Sequence, residues 1–227
     1  IKFIKKISSV TPILIIDNLK DYELKKVFKK KINVKILFKK NDGYGSSINY
    51  ASRRIKTKYF FVVQPDVTGI NSNALNLFYK FAKKINDQFS VIGPHFLNVA
   101  KSGHFQTSLN YKIKEIHNVH GSVMFFNKRI FIKNKGFDKN FFLYWEETDY
   151  TKRNWKSGLP AYQLNLVKVT HEKGRAVETT TVQDREKLDY LYTWHFIWSK
   201  FYFFTKHYGK IFSLLYFIPI LIRILFR

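Results

Sequence analysis

The chain has 227 residues, of which 45% are hydrophobic, so it can bury a sizeable core and is not a globally disordered protein. It contains no cysteine, which excludes disulfide bonds and cysteine-based zinc sites and leaves Asp, Glu, His or water to hold any metal. The formal charge of +24 favours an anionic partner: nucleic acid, an anionic membrane surface or a phosphorylated substrate. Compositional drift toward lysine in an AT-rich genome would give the same excess, so charge alone identifies no partner.

The first 63 residues predict strands that alternate with helices. In chain order we predict a strand at 13–16 that ends in Asp17, a helix at 21–31, a strand at 34–38, a turn at 41–47, a helix at 48–55 and a strand at 59–63. This alternation is typical of a parallel sheet with right-handed crossovers. We therefore predict an α/β fold in which helices flank a mostly parallel central sheet.

The strand at 59–63 is followed by Gln64, Pro65 and Asp66. Pro65 cannot continue the hydrogen-bonded ladder of a central strand, so the chain should leave the sheet there and place Asp66 at its carboxyl edge. In open α/β sheets, ligands bind along that edge. An Asp in such a position can equally be a turn or helix-cap residue, so its role depends on which side chains join it.

His171 also follows a strand. The later predicted elements are a helix at 74–85, strands at 89–94 and 121–126, a short helix at 128–133, a helix that Gly158 ends and a strand at 164–169. In a parallel sheet Asp17, Asp66 and His171 would lie along one edge. Asp66 and His171 would then suit Mg²⁺ or Mn²⁺, with phosphate oxygens and water completing the shell. The alternative for His171 is a structural histidine.

Three acids cluster in this basic chain, at Glu146, Glu147 and Asp149. On a helix Glu146 and Asp149 share a face, and Glu147 projects roughly 100° away. Acids in a first helical turn complement the helix dipole, which is one interpretation. The aromatic segment 141–145 precedes them, however, so burial could raise the pKa of one carboxyl group as a general base requires. Both interpretations stay open at this point.

The composition changes after Asp184, and we predict a domain at 1–180 followed by an aromatic, basic and helical C-terminal region at 184–227. Residues 211–226 are almost wholly apolar except for Arg223. This run is slightly short of the ~18–20 residues that span a bilayer. We therefore predict membrane-associating helices that lie on the surface.

On such a surface Lys206, Lys210, Arg223 and Arg227 would reach the lipid phosphates. The alternative is a helix packed on the domain. We do not expect nucleic-acid binding, because the basic residues are spread along the chain and the aromatic ones lie beside a lipid-compatible helix.

Several short motifs in order give the chain a recognisable pattern. They are Ile15-Ile16-Asp17-Asn18, Asn41-Asp42-Gly43-Tyr44-Gly45 with Asn49, Gln64-Pro65-Asp66-Val67, Gly121-Ser122-Val123-Met124, Gly136-Phe137-Asp138, and Phe142 to Asp149 with Arg153, Gly158 and His171. Over roughly residues 13–175 the chain resembles the family 2 glycosyltransferases of the GT-A fold, in the rhamnosyltransferase-like branch that builds bacterial surface polysaccharides. The resemblance implies an inverting hexosyltransferase that uses a dTDP-, UDP- or GDP-linked sugar.

The resemblance also implies roles for individual residues. Asp17 would contact the nucleotide base, and Asp66 and His171 would hold Mg²⁺ or Mn²⁺ at the diphosphate. Glu147 would be the general base that takes the proton of the acceptor hydroxyl. The further residues that would bind the nucleotide-sugar donor are Asn18, Asn41, Gly43, Asn49 and Gln64.

The chain departs from the family pattern at three points. Gln64 stands where the family has Asn or Asp, and Glu147 stands where it has Asp. The family's first strand should precede residue 1, so the domain at 1–180 is expected to be truncated at its N-terminus. These departures make a non-catalytic, degenerate transferase that binds nucleotide or glycan the alternative. The expected location is peripheral, on the cytoplasmic face of the inner (plasma) membrane, with a glycan or lipid-linked acceptor.

Overall fold

The computed structural model describes residues 11–29, 33–98, 112–172 and 181–225. The strands within these ranges are β1 Ile13–Asp17, β2 Val34–Phe38, β3 Tyr59–Val63, β4 Val67–Thr68, β5 Ile92–Phe96, β6 Ile113–Ile116, β7 Val123–Asn127 and β8 Ala161–His171. The helices are α1 Tyr22–Phe28, α2 Tyr44–Ser52, α3 Ser72–Lys84, α4 Lys128–Lys133, α5 Glu146–Trp155, α6 Val182–Tyr208 and α7 Lys210–Leu225. The α/β prediction is confirmed.

The sheet is mixed, so the prediction of a mostly parallel sheet is wrong. β1 and β2 form a parallel pair. The other strands described form a sheet in the order β3-β7-β5-β8-β4, with β6 also paired to β8. In that sheet β5 and β8 are parallel, and the remaining pairings are antiparallel. The physical reason is that regular strand–helix alternation stops after β3: no helix separates β3 from β4 or β6 from β7, and a parallel return needs a long crossover.

Strand β7 divides the core into two layers. Its side chains alternate, so Val123 and Phe125 enter one buried cluster while Met124 and Phe126 enter the other. The first cluster contains the apolar face of α3, and the second contains residues from α2, α4 and α5. Both faces of β7 are fully covered. The sheet therefore forms a rigid centre on which the ends of β3, β4 and β8 are held.

The C-terminal region is a helical hairpin. α6 has 27 residues, begins at a Thr181 cap whose hydroxyl accepts from the Asp184 amide, and ends at Gly209, where φ is 92°. α7 then runs back along α6. One face of α6 packs on the first domain, where Ser199 donates to the Leu143 carbonyl at 2.8 Å and the Phe203 ring lies 5.0 Å from that of Trp145.

Within the ranges that the structure covers, no helix combines the length and apolar character needed to cross a bilayer. Residue Arg227 and the side chain of Arg223, two of the predicted phosphate contacts, lie outside the described part of the chain.

Candidate active site

Asp66 and His171 meet across an antiparallel strand pair. β4 pairs with the end of β8, with Val67 opposite His171. The Glu172 amide also donates to the Asp66 carbonyl at 3.0 Å, which extends the pairing by one residue. The His171 Nε2 atom lies 3.3 Å from Asp66 Oδ2. The predicted convergence of these two residues therefore occurs, although through antiparallel pairing rather than at the shared edge of parallel strands.

Each of these two side chains keeps one polar atom without a partner. Asp66 Oδ1 and His171 Nδ1 are buried, and neither has a hydrogen-bond partner. Buried polar atoms are normally satisfied, so such a pair points to a ligand. The described residues contain no cluster of three His, Asp or Glu side chains suited to a metal. The site fits a cation that takes two ligands from the protein and the rest from phosphate and water, as Mg²⁺ commonly does.

A second histidine, His120, borders this pair. Its ring centroid lies 5.2 Å from that of His171 and 4.7 Å from that of Phe96. The Nδ1 atom lies 2.8 Å from the Ser122 hydroxyl, which fixes the ring in its loop. His120 was not among the predicted site residues, because it precedes a strand and no local pattern distinguishes it.

Glu146 and Glu147 open helix α5 after a strained turn. Both Tyr144 and Trp145 have positive φ values, 67° and 68°, which non-glycine residues rarely adopt. Trp145 supplies no side-chain cap, so the turn is held by packing rather than by a capping hydrogen bond. Strain of this kind costs on the order of 1–3 kcal/mol per residue and concentrates at functional sites.

The two carboxyl groups face the same small space beside Gly121. A methyl group added at Gly121 would lie 3.7 Å from Glu147 Cδ and 3.9 Å from Glu146 Oε1. The Oε2 atoms of both glutamates are buried and have no hydrogen-bond partner. The sequence left open whether one carboxylate is buried. In the structure the Oε2 atoms of both side chains are buried, and the absence of a side chain at Gly121 leaves space in front of the two carboxyl groups.

Burial raises the pKa of Glu147 to about 7, and a hydrogen bond from the backbone and another with Glu146 partly offset that rise. Burial raises the pKa of Glu146 well above its ordinary value, and the charge of Glu147 raises it further. The two side chains hydrogen-bond each other and so share a proton, and the pair as a whole changes charge near neutral pH. A general base is most effective when its pKa lies near the working pH.

Tyr44 is close enough to the carboxyl pair and to Asp66 for the charges of all three to act on it. Its hydroxyl donates to the Gly121 carbonyl at 2.6 Å. Burial raises the pKa of Tyr44 well above 10, and the charges of Glu146 and Glu147 and, less strongly, Asp66 add to the rise. The phenol is thus a neutral hydrogen-bond donor, and its pKa depends on the charges of both acidic groups. Sequence reasoning placed Tyr44 in a turn and gave it no role.

Two of the predicted donor-binding residues organise the turn after β1. The buried Asp17 carboxylate accepts from the backbone amides of Leu19, at 2.9 Å, and Asp21, at 2.8 Å. Asn18 donates to the Lys39 carbonyl at 2.9 Å, which ties the ends of β1 and β2 together. Asp17 is the last residue of β1, which pairs with β2 rather than with the larger sheet. Within the described ranges no hydrogen bond or ion pair joins Asp17 to the acids of the site.

Asn41 and Gly43 shape the loop that leads into α2. The Asn41 side chain accepts from the Gly43 amide at 3.3 Å. Gly43 has φ 113°, and a Cβ atom there would lie 2.7 Å from the carbonyl oxygen of Phe142. The next amide, of Tyr44, donates to that carbonyl at 2.8 Å. Gly43 therefore allows this loop to touch the segment that leads to Glu146.

Asn49 and Gln64 have different surroundings. The Asn49 side chain donates to the Phe137 carbonyl at 2.8 Å and accepts from the Phe137 amide at 3.0 Å, so both ends of its amide are engaged within the fold. Gln64 donates its backbone amide to the Ser122 carbonyl at 2.9 Å, and its side chain hydrogen-bonds the Tyr44 hydroxyl. Gln64 therefore lies in the site, whereas Asn49 fastens α2 to the loop after α4.

An ionic network anchors the end of α6 beside the site. The Asp149 carboxylate is fully buried and contacts Arg153 at 2.8 Å, Lys206 at 2.7 Å and His207 at 2.8 Å. Lys206 also contacts Asp138 at 2.7 Å. Burial opposes ionisation of Asp149, but the hydrogen bonds from His207 and Lys206 and the charge of Arg153 lower its pKa to about 2. The contacts of Lys206 and His207 were not predicted, because they join residues far apart in the chain.

No protein-family model matches the sequence, and no curated protein matches it. Solved structures, in contrast, do match the chain. A structure of GalNAc-T7 with UDP, GalNAc and Mn²⁺ has a TM-score of 0.58 at 11% identity, over 71% of this chain and 37% of that one. The TarS 1–349 structure from S. aureus with UDP-GlcNAc has a TM-score of 0.56 at 15% identity, over 83% of this chain and 58% of that one.

The mannosyltransferase PcManGT from Pyrobaculum calidifontis, solved with GDP-Man and Mn²⁺, has a TM-score of 0.57 at 12% identity. The match covers 76% of this chain and 53% of that one. The chain therefore spans less than two thirds of the length of these proteins. At these identities the likeness shows the fold: the chain has the GT-A architecture of nucleotide-sugar glycosyltransferases.

Proposed function

We propose that the protein is an inverting glycosyltransferase that moves a sugar from a nucleoside-diphosphate sugar to a hydroxyl group of a glycan or lipid-linked acceptor. The supporting observation is the arrangement around Tyr44. The charges of Glu146, Glu147 and Asp66 all act on its buried phenol, so the carboxyl group of Glu147, with a pKa of about 7, and the Asp66–His171 pair, with two unpartnered polar atoms, border the same region. A base and a cation site for the diphosphate near one another are the two requirements of sugar transfer from a diphosphate.

In this proposal Glu147 takes the proton of the acceptor hydroxyl while that oxygen attacks the anomeric carbon. Glu146 and Glu147 share one proton through the hydrogen bond that joins them, which keeps a single negative charge on the pair. Tyr44 donates a hydrogen bond beside them without ionising. Asp66 and His171 would hold Mg²⁺ or Mn²⁺, and the ion would supply positive charge to the departing diphosphate.

We also propose that the protein works peripherally at the cytoplasmic face of the plasma membrane, in the synthesis of a bacterial cell-surface polysaccharide. The support is the composition of the hairpin. No Asp or Glu occurs after Asp189, whereas Lys200 and Lys210 do. Ile211 and Leu215 are 77% and 65% exposed on α7. A cationic, aromatic and apolar surface of this kind suits an anionic lipid interface.

The function is tested by thermal shift with UDP, dTDP and GDP, each with and without Mn²⁺ or Mg²⁺. We expect one nucleotide to raise the melting temperature only when the cation is present, and Asp66→Ala to abolish that shift. Asp189→Ala is the matched control, because Asp189 is a mostly exposed acid paired with Arg185 on α6. An equal, cation-independent shift in the wild type and in Asp66→Ala would contradict the proposal.

A further inference from the structure

One face of α6 packs along the aromatic segment that leads to the proposed base. Its members recur at the spacing of a single helix face and are Tyr192, Phe196, Ser199 and Phe203. The last two make the contacts with the first domain that are described above. The Phe196 ring centroid lies 5.8 Å from that of Tyr144. Tyr192 is the member of the row nearest the start of α6, so this part of the helix meets the turn that directly precedes α5.

Tyr144 and Tyr192 form an aromatic corner. Their ring centroids lie 6.4 Å apart and their planes meet at 77°, so the two rings stand nearly perpendicular. Both side chains are half-buried, and among the residues that the structure describes neither hydroxyl has a hydrogen-bond partner. Neither hydroxyl is fully buried, whereas that of the nearby Tyr44 is bound to the Gly121 carbonyl. The aromatic corner therefore offers a ligand apolar ring surface together with two free hydroxyl groups.

The aromatic corner borders both halves of the candidate active site. Burial raises the pKa of Tyr144, and the charges of Tyr192 and of both glutamates of the carboxyl pair add to the rise. Burial raises the pKa of Tyr192 as well, and the charge of Asp66 is among those that add to it. One phenol thus lies within electrostatic reach of the proposed base and the other within reach of the proposed cation site.

The group that bridges these two sites in sugar transfer is the sugar itself. Its anomeric carbon must lie between the diphosphate at the cation and the acceptor oxygen at the base, because the bond to the first breaks as the bond to the second forms. The donor's sugar is therefore the part of the substrates that lies next to the aromatic corner.

The strained turn before α5 also fits such a role. Tyr144 and Trp145 both have left-handed backbone conformations, and the turn brings the Tyr144 ring against α6 immediately before Glu146 begins α5. Strain of this kind persists where the surrounding structure holds it and where the position of a side chain matters to function.

We infer that Tyr144 and Tyr192 select the sugar of the donor, which packs its C–H surface against the two phenol rings and hydrogen-bonds their hydroxyl groups. The inference rests on the proposed function, and it makes α6 a wall of the donor site. The rings supply apolar contact to any pyranose, and the hydroxyls distinguish one configuration of its hydroxyl groups from another. A site that hydrogen-bonds a substrate hydroxyl discriminates strongly against an analogue in which that hydroxyl is missing or displaced.

The test uses the full chain with Mn²⁺ and measures dissociation constants by calorimetry for pairs of epimeric donors on one nucleotide. The pairs are UDP-glucose with UDP-galactose, dTDP-glucose with dTDP-galactose and GDP-mannose with GDP-glucose, each beside its bare nucleoside diphosphate. We expect one pair in which the wild type binds one epimer at least about tenfold more tightly than the other. Equal binding of both epimers in every pair that binds would overturn the inference.

Tyr192→Ala should bring the two epimers to within about threefold of each other while changing the affinity for the bare nucleoside diphosphate less than about twofold. The retained nucleotide binding also shows that the variant is folded. Tyr192→Phe keeps the ring and removes the hydroxyl, so it should lose most of the preference between epimers and little of the affinity. Equal weakening of the bare nucleotide and its sugar conjugates by Tyr192→Ala would overturn the inference.

Tyr190→Ala is the matched control. Tyr190 lies on the same helix only two positions away, which places it on another face, and it is 75% exposed. The substitution removes the same ring from α6 and should leave the preference between epimers unchanged. The same loss of preference in Tyr190→Ala and Tyr192→Ala, or no loss in either, would contradict a specific role for the aromatic corner.

The bare nucleotides separate this inference from the proposed function. Cation-dependent binding of a nucleoside diphosphate, with a preference between epimers that Tyr192→Ala removes, supports both. The same nucleotide binding with a preference that survives in Tyr192→Ala overturns the inference and leaves the proposed function in place. A wild-type protein that binds no nucleoside diphosphate with either cation would remove the glycosyltransferase proposal, and the assignment of the aromatic corner with it.

Discussion

The imidazole of His207 lies 2.8 Å from the buried carboxylate of Asp149, although the two residues are 58 positions apart. This contact joins the last turn of α6 to the first turn of α5, the helix that begins with Glu146 and Glu147. Lys206 reaches the same carboxylate, so two consecutive residues of α6 hold it. The last turn of α6 is therefore fixed within one helical turn of Glu147, the proposed base.

We predict that Asp149→Asn destabilises the protein by about 3 kcal/mol, because it leaves the cations around a buried site without their carboxylate. The matched control is Asp189→Asn. Asp189 is paired with Arg185 at 3.5 Å on the exposed side of α6, where an ion pair contributes little, and we expect less than about 0.5 kcal/mol. Urea unfolding measures both variants. Similar losses in the two would show that the buried network does not anchor α6.

The same network should make the protein sensitive to acid. The pKa of Asp149 is held at about 2, below the value of about 3.9 in an unfolded chain. Its contribution to stability is therefore complete above about pH 4 and is lost as the pH falls toward about 2. We expect Asp149→Asn to flatten the dependence of melting temperature on pH in this interval. If the acid dependence of the melting temperature is unchanged in the variant, other carboxylates are responsible for the loss of stability at low pH.

The rate of sugar transfer should rise with pH and level off above about pH 7, where Glu147 has lost its proton. Glu147→Gln should lower kcat by about 10³-fold while leaving nucleotide protection intact, because the amide cannot accept the proton. Glu147→Asp is the finer variant. It keeps the carboxylate but withdraws it by roughly 1 Å, which can cost about 10²-fold. Transfer at the wild-type rate by Glu147→Gln would remove Glu147 from the role of base.

Glu147→Gln should also stabilise the folded protein at high pH. A buried carboxyl group whose pKa is raised from about 4.3 to about 7 opposes folding increasingly as the pH rises through that interval. The neutral amide avoids this cost. We expect the melting temperature of the variant to exceed that of the wild type at about pH 8 and the difference to shrink at about pH 5. Equal melting temperatures at both pH values would mean that the carboxyl group is hydrated.

Gly43 and Gly158 allow a matched test of the contact between two loops. Both have positive φ, 113° and 73°, but a Cβ atom at Gly43 meets the Phe142 carbonyl, whereas one at Gly158 meets nothing within 4 Å. Gly158→Ala should therefore cost only the backbone strain, about 1 kcal/mol. Gly43→Ala should cost roughly 2 kcal/mol more, because the loops must separate. Chemical unfolding measures the difference, and equal costs would show that the loops do not need this contact.

The sequence predicted that Asp66 and His171 lie close together, and they do. The prediction relied on parallel strands, whereas antiparallel pairing of β4 with β8 brings the two residues together. β4 has only two residues, too few for any hydrophobic period, so its antiparallel pairing with β8 leaves no local signal. Tyr44 was placed in a turn for a similar reason. α2 begins there after Gly43 without a side-chain cap, and the pattern by which helix starts are recognised is missing.

Other features depend on contacts between distant parts of the chain. The pairing of Asn49 with Phe137 crosses 88 positions, and the burial of both Glu146 and Glu147 depends on packing by α6 against the preceding aromatic residues. An acidic cluster after an aromatic run does predict a perturbed carboxylate. Which carboxylate titrates near neutrality depends on the tertiary fold, since adjacent identical side chains differ only in their surroundings.

Helix α6 packs against both α7 and the aromatic residues before Glu146, and this limits how the protein can be shortened. Removing residues 184–227 to obtain a more soluble fragment would take away the partners of Asp138 and Asp149 and uncover Trp145. The strained turn before Glu146 would then lose the aromatic packing that holds it. Such a fragment would be less soluble and would lose the packing beside Glu146 and Glu147, so the hairpin cannot be exchanged for another C-terminal segment without disturbing the candidate site.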